Sequence, residues 1–252
     1  LCFPGLSDAE RERLVRRHFR AFGRSLLERG ILWWSSAKRI RRLVQIEGME
    51  HWQAVRDRPV IWLAPHFVGL DMGGVRLTSE FPLVSTYSRQ KRSPEFDALL
   101  RHGRTRFGMT TLFSRQQGMR PVVKALRSGL PYYYLPDMDF GAADALFVPF
   151  FGVPAATITA LSRLAHITGA AVVPCITRQL PGGKGYVLRF YSAWKDFPGP
   201  DLEADTRRMN AFIEERVLEM PEQYFWLHKR FKTRPPGAER FYRPGRQSRR
   251  RR

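Results

Sequence analysis

Short apolar runs rich in β-branched residues alternate along the chain with stretches of helical periodicity, and this alternation limits the fold more than any other feature. The runs fall at residues 59–64 (PVIWLA), 82–87, 110–113, 131–135, 170–176 and 185–191. Helices are predicted over 94–107, 119–128, 157–168 and 202–219, with Gly129, Gly169 and Pro221 as stops. An unbroken run such as PVIWLA suits a strand covered on both faces. Strands of that kind alternating with helices predict an α/β class, single-domain sandwich with a mixed, largely parallel central sheet flanked by helices. No period of ~20 to 50 residues suggests a repeat array. The 252 residues are enough to bury one sizeable core, expected over residues 1–234.

Ahead of the first strand, Ser7-Asp8-Ala9-Glu10 reads as a capping box opening a helix with an apolar stripe at Leu14, His18, Phe22 and Leu26, and with Gly30 as its stop. The opposite face holds Arg11, Arg13, Arg16, Arg17, Arg20 and Arg24, followed by Lys38, Arg39, Arg41 and Arg42. Beside the aromatics Trp33 and Trp34, such a face suits lipid headgroups and suits plain solvent equally well. From residue 235 onward the chain is rich in Pro, Gly and Arg, and residues 235–252 are expected to form a flexible Arg-rich tail.

Lys and Arg number 43 against 23 Asp and Glu, a formal net charge of +20, which points to an anionic partner. Nucleic acid, an acidic leaflet, a phosphorylated lipid and an acidic carrier protein all satisfy that requirement. Cys2 and Cys175 stand far apart without a CxxC pair, which excludes a disulfide framework and a cysteine-based zinc site. Cys175, within AAVVPCI, reads as a buried structural thiol. No window reaches the ~18 to 20 uninterrupted apolar residues of a spanning helix. The chain begins at Leu1 rather than Met, so a membrane anchor upstream of it would go unseen.

The chemistry centres on HFVGLD, where His66 follows the buried strand and Asp71 comes five residues later in the first turn of the next helix. A histidine at the carboxyl end of a strand sits where open α/β sheets place ligands. A carboxylate on one ring nitrogen fixes the tautomer that leaves the other nitrogen free to accept a proton, as activation of a hydroxyl requires. Spacing alone also allows, and favours, Asp71 complementing the helix dipole beside a satisfied loop histidine. A metal site is disfavoured, because no second ligand recurs at metal spacing and HExxH is absent.

HFVGLDMG resembles the H-x4-D/E motif of glycerolipid-type acyltransferases. Five further blocks resemble the bacterial late acyltransferases of lipid A synthesis: FPGLSDAERERLVRRHF, SRQKRSPEFDALLRHGRTRFG, LPDMDFGAADALFVPFFGVPAATITALSRLA, GAAVVPCITRQLPGGKGY and PEQYFWLHKRFKTRP. The resemblance spans nearly the whole chain apart from the arginine tail. It implies a glycerol-3-phosphate acyltransferase-like sandwich, an acyl carrier protein thioester as donor, and the hydroxyl of an anionic, Kdo-bearing lipid A precursor as acceptor. It implies His66 as general base and Asp71 as its orienting carboxylate, with direct transfer, no cofactor, no metal and no nucleic acid. It further implies action at the cytoplasmic face of the inner membrane, with the family's usual N-terminal membrane helix lying ahead of Leu1. The same chemistry on another acceptor, such as a glycerophospholipid or ornithine lipid, is the first alternative. A basic nucleic-acid-binding module is the second, and it lacks any recognisable motif.

Arg104 and Asp137 match positions where the family pattern keeps an arginine and an aspartate. Arg104 is expected to hold a phosphate or the developing oxyanion with Asp137 orienting it, a structural ion pair being the other reading. Arg89 and the cluster Lys229, Arg230, Lys232 and Arg234 are candidates for anion contacts, since guanidinium groups bind phosphate bidentately. Asp139 is expected to cap the following loop, and His228 to pack rather than to react. Phe147, Phe150, Phe151 and Ile158 suit an acyl channel or the core alike.

Overall fold

Over the residues that the computed structural model describes, 1–89 and 93–242, the chain forms the mixed, largely parallel α/β sandwich that its alternation predicts. The elements are α1 (Asp8–Leu27), α2 (Arg29–Trp34), α3 (Ala37–Leu43), β1 (Val44–Glu47), α4 (Met49–Gln53), β2 (Val60–Leu63), α5 (Leu70–Thr78), β3 (Leu83–Tyr87), α6 (Pro94–Thr105), β4 (Thr110–Ser114) and α7 (Arg120–Arg127). They continue with β5 (Tyr132–Tyr134), β6 (Ala145–Phe150), β7 (Val153–Ile158), α8 (Ala160–Thr168), β8 (Ala171–Gln179), β9 (Tyr186–Phe190) and α9 (Leu202–Glu219). The described residues build a seven-stranded sheet in the order β1-β9-β8-β2-β5-β3-β4, in which only the β8–β9 pair is antiparallel. All four residues of β2 are buried, as its unbroken apolar run requires of a central strand with both faces covered.

The capping box of α1 is formed, Ser7 and Glu10 bonding reciprocally. Gly30, expected as a helix stop, lies inside α2; the break falls earlier, at Glu28, which caps α1 and opens α2. Residues 157–159, expected within a helix, instead finish and follow β7, which forms an antiparallel hairpin with β6. That hairpin accounts for the phenylalanine band. Phe150 is fully buried in the core, and Phe151 and Ile158 pack against it, so these three belong to the core, while Phe147 stays part-exposed on β6.

Glycines let α5 press onto the sheet. A Cβ at Gly73 would stand 1.9 Å from the Thr177 hydroxyl oxygen of β8, and one at Gly69 would stand 2.7 Å from the Thr177 carbonyl. Trp33 is buried over α6, where Gly103 leaves it room, whereas its neighbour Trp34 is 64% exposed. Of the residues expected in the tail, 235–242 are described, and the last two of them pack. Phe241 meets Phe231 edge-on and lies under the Arg234 guanidinium, and the Tyr242 hydroxyl accepts the Phe231 N–H, because two aromatic rings give this stretch apolar surface to bury. The rest of the expected Arg-rich tail, residues 243–252, lies outside the described residues.

Candidate active site

Strand register builds the site. Parallel β2 and β5 pair with Leu63 opposite Tyr134, and the Ala64 N–H extends the ladder to the Tyr134 carbonyl at 2.8 Å. Both chains then leave the sheet through a proline, Pro65 and Pro136, and the next residues are His66 and Asp137. Residues equally far beyond paired strand ends meet side by side. The His66 ring Nδ1–H donates to Asp137 Oδ1 at 2.7 Å, and the same carboxylate accepts the His66 backbone N–H at 3.1 and 3.2 Å. The His66 side chain is 17% exposed while that of Asp137 is wholly buried, so the base is reachable and its partner is sealed.

Burial alone would raise the Asp137 carboxyl, but the neighbouring His66 outweighs it and holds that group well below the ordinary carboxylate range. An ionised carboxylate only accepts hydrogen bonds, so Nδ1 carries the ring proton and Nε2 keeps its lone pair. A ring so held can accept a proton from a hydroxyl, and Asp137 stands on it where Asp71 was expected.

Asp71 faces elsewhere. Arg104 of α6 donates to its Oδ1 at 2.9 Å, and Arg29 of α2 stands 3.5 Å from its Oδ2. Burial would raise Asp71, yet these two guanidiniums, Arg104 foremost, keep it lowered, with a smaller contribution from His66. The reason is positional: the first turn of α5 points Asp71 at two cations, whereas the strand register delivers Asp137 to the ring. The expected partners of the two aspartates are therefore exchanged, since Asp137 bonds His66 and Asp71 bonds Arg104. An apolar cavity of about 30 Å³, with Leu70, Val75, Leu83 and Tyr133 in its wall, lies beside Asp71 and Arg104.

A closing segment, residues 221–231, backs the histidine. The Val68 N–H donates to the Gln223 carbonyl, the Phe225 N–H to the His66 carbonyl at 2.8 Å, and Phe67 bridges to Tyr224. Burial, reinforced by the Asp137 charge, raises the Tyr224 phenol well above its usual value. His228 donates through Nδ1 to the Phe225 carbonyl and lies 6.2 Å ring to ring from His66. Burial pushes its imidazole down to about 4, so it is neutral at pH 7.

The remaining candidates separate. Arg230 is buried and bonded to the Ala156 carbonyl, the Thr157 hydroxyl and the Asn210 side-chain oxygen, which ties the β6–β7 hairpin to α9 and leaves this side chain no access to an anion. Lys232 is half-exposed and donates to the Asp139 carbonyl at 3.1 Å. Asp139 does cap its loop, accepting from the N–H groups of Gly141 and Thr233 and from the Thr233 hydroxyl. Arg89 is exposed two residues beyond β3, at the end of the sheet where His66 and Asp137 emerge. Arg29 and Tyr224 escaped the reading of the sequence. For Asp137 a signal existed, because APH and LPD are matching strand exits through proline.

The sequence profile of the family described as bacterial lipid A biosynthesis acyltransferase matches residues 1–233. The lipid A biosynthesis lauroyltransferase of Escherichia coli (strain K12) is 36% identical over 245 residues, covering 96% of this chain and 79% of that protein. The lipid A biosynthesis myristoyltransferase of the same strain is 32% identical over 241 residues, covering 94% and 74%. Among solved structures, the 1-acyl-sn-glycerophosphate acyltransferase of Thermotoga maritima aligns with a TM-score of 0.43 and 16% identity, over 82% of this chain and 89% of that one.

Proposed function

Because this chain belongs to the bacterial lipid A biosynthesis acyltransferase family, and by that membership is an acyltransferase, we propose that it moves a fatty acyl chain from an acyl carrier protein thioester to a hydroxyl of a Kdo-bearing lipid A precursor. The observation that carries the mechanism is the His66–Asp137 hydrogen bond, which leaves Nε2 on the reachable side as the base. Nε2 takes the acceptor hydroxyl proton as the oxygen attacks the thioester carbonyl. A C–O bond forms, the C–S bond breaks, and the imidazolium returns the proton to the departing thiolate. Asp137 stabilises that imidazolium, and general-base help of this kind contributes ~100- to 10,000-fold. Asp71 holds the Arg104 guanidinium, whose remaining N–H groups are offered to the oxyanion as it forms; one well-placed donor contributes about 3 kcal/mol. Arg89, at the end of the sheet where His66 and Asp137 emerge, is left as a contact for acceptor phosphates.

The net charge of +20 supports an anionic acceptor and an acidic carrier as partners, and work at the cytoplasmic face of the inner membrane. Among the described residues no helix is long and apolar enough to cross a membrane. The test is transfer from acyl carrier thioesters to the lipid A precursor and to a lysophospholipid, for wild type and His66→Ala. Transfer to the precursor that His66→Ala loses is expected. Transfer by His66→Ala at the wild-type rate would remove the base, and transfer to the lysophospholipid alone would remove the acceptor.

A further inference from the structure

Between α1 and the closing segment runs an apolar groove of about 440 Å³ that none of His66, Asp71, Arg104 and Asp137 lines, with Leu14, Val15, Phe19, Trp226 and Leu227 in its walls. Val15 and Phe19, one helical turn apart, are 51% and 54% exposed although apolar. The positions after them, Arg16 and Arg20, stand next around the helix. Arg16 pairs only with exposed Glu12, and Arg20 makes no ion pair among the described residues. An outward apolar row edged with arginine is the pattern of a helix lying in a lipid interface.

At its other end the groove reaches Tyr242, which also walls a second hollow of about 640 Å³. Lys229, Lys232, Arg234 and Arg240 line that hollow, no acidic residue does among the described residues, and the Asp139 carboxylate stands 3.9 Å from the Lys232 ammonium. The Lys229 ammonium lies 5.7 Å from the Tyr242 ring centre, on the partition itself. A space for hydrocarbon and a space for an anion thus share one aromatic wall.

We propose that groove and hollow together seat one anionic phospholipid of the bilayer surface, its acyl chain along α1 and its phosphate among the four cations, and so dock the enzyme on the membrane. This rests on the reading of the chain as an acyltransferase of lipids. The seated lipid is docked and not acylated, because none of His66, Asp71, Arg104 and Asp137 lines either space and the closing segment stands between groove and base. Charge complementarity selects the occupant. An apolar peptide has no use for four cations, a nucleic acid has none for a hydrocarbon groove, and a phospholipid uses both.

The 252-residue chain is sedimented with phosphatidylcholine vesicles, with and without phosphatidylglycerol, and Trp fluorescence is followed with phosphatidylglycerol brominated on its acyl chains. The variants are Val15→Ser/Phe19→Ser, Lys229→Gln/Arg240→Gln and Trp226→Phe, each checked by circular dichroism for an unchanged fold. Anionic vesicles are expected to bind at least several-fold better than neutral ones, each double variant is expected to weaken that binding about tenfold, and brominated chains are expected to quench emission that Trp226→Phe removes. Wild-type binding by the Val15/Phe19 variant, or quenching undiminished in Trp226→Phe, would mean surface adsorption without a seated chain and would overturn the proposal. Acyl transfer in detergent is measured alongside. A fall there parallel to the loss of binding would make the occupant the acceptor and overturn it as well. Vesicle binding needs no turnover, so a wild type that binds but transfers nothing would sink the acyltransferase reading and leave the seat standing.

Discussion

At the scale of single residues, two aspartates near one histidine hold different partners, and substitution separates them. Asp137→Asn keeps the shape but offers Nδ1 the wrong tautomer and removes the charge opposite the imidazolium, so kcat is expected to fall by roughly 10³ to 10⁴. Asp71→Asn loosens Arg104 and Arg29 while the ring stays held, and a smaller loss, on the order of tenfold to a hundredfold, is expected in the same assay. The reverse ranking would restore Asp71 as the orienting group. His228 gives a pH prediction. Its folded imidazole titrates near 4 against an ordinary 6.5, so between those values the unfolded chain binds the extra proton and stability falls as pH falls. The loss is on the order of 3 kcal/mol by pH 4. Thermal melts of wild type and His228→Gln from pH 7 to pH 4 check it: the variant should melt over a flatter pH profile.

At the scale of elements, the seating of α5 on β8 fixes where the loop after β2 can run. Gly73→Ala places a methyl 1.9 Å from a β-branched side chain that cannot swing aside, and a loss of about 1 to 3 kcal/mol is expected, relieved in part by adding Thr177→Ala. Chemical denaturation of the two single variants and the double variant measures the coupling. Most of these elements are legible in the sequence: β2, β3, β4, β5, β8 and β9 fall on its apolar runs and α9 on its expected span, and β2 and β5 are clearest because burial on both faces writes a strand as an unbroken apolar or aromatic run. The β6–β7 hairpin is not legible. Its stretch ALFVPFFGVPAATI mixes Pro, Gly and small residues whose strand state depends on pairing with each other and on packing against α9. The same holds for the site. His66 shows itself by following a strand, but its partner is decided by which strand lies beside β2, and neighbourhood in a sheet is not written in local pattern. Arg230 taught the converse: a basic residue in a basic cluster can be a bolt in the core.

Across the whole molecule, the excess of positive charge sets solution behaviour. With a formal net charge of +20, self-repulsion opposes the compact state, and raising ionic strength from about 10 to about 150 mM shortens the Debye length from roughly 30 to 8 Å. The melting temperature is expected to rise over that range, and a fall would show that the ion pairs of the fold outweigh the repulsion. The rung that joins Ala64 to Tyr134 has a temporal consequence too. Histidine and aspartate are 71 positions apart in the chain and become neighbours only once the central strands have zipped together. On the proposed mechanism turnover is therefore a late event in the life of a newly made chain: no excised piece holding just one of these strands should display it, and after dilution from denaturant its return should keep step with the last stage of refolding.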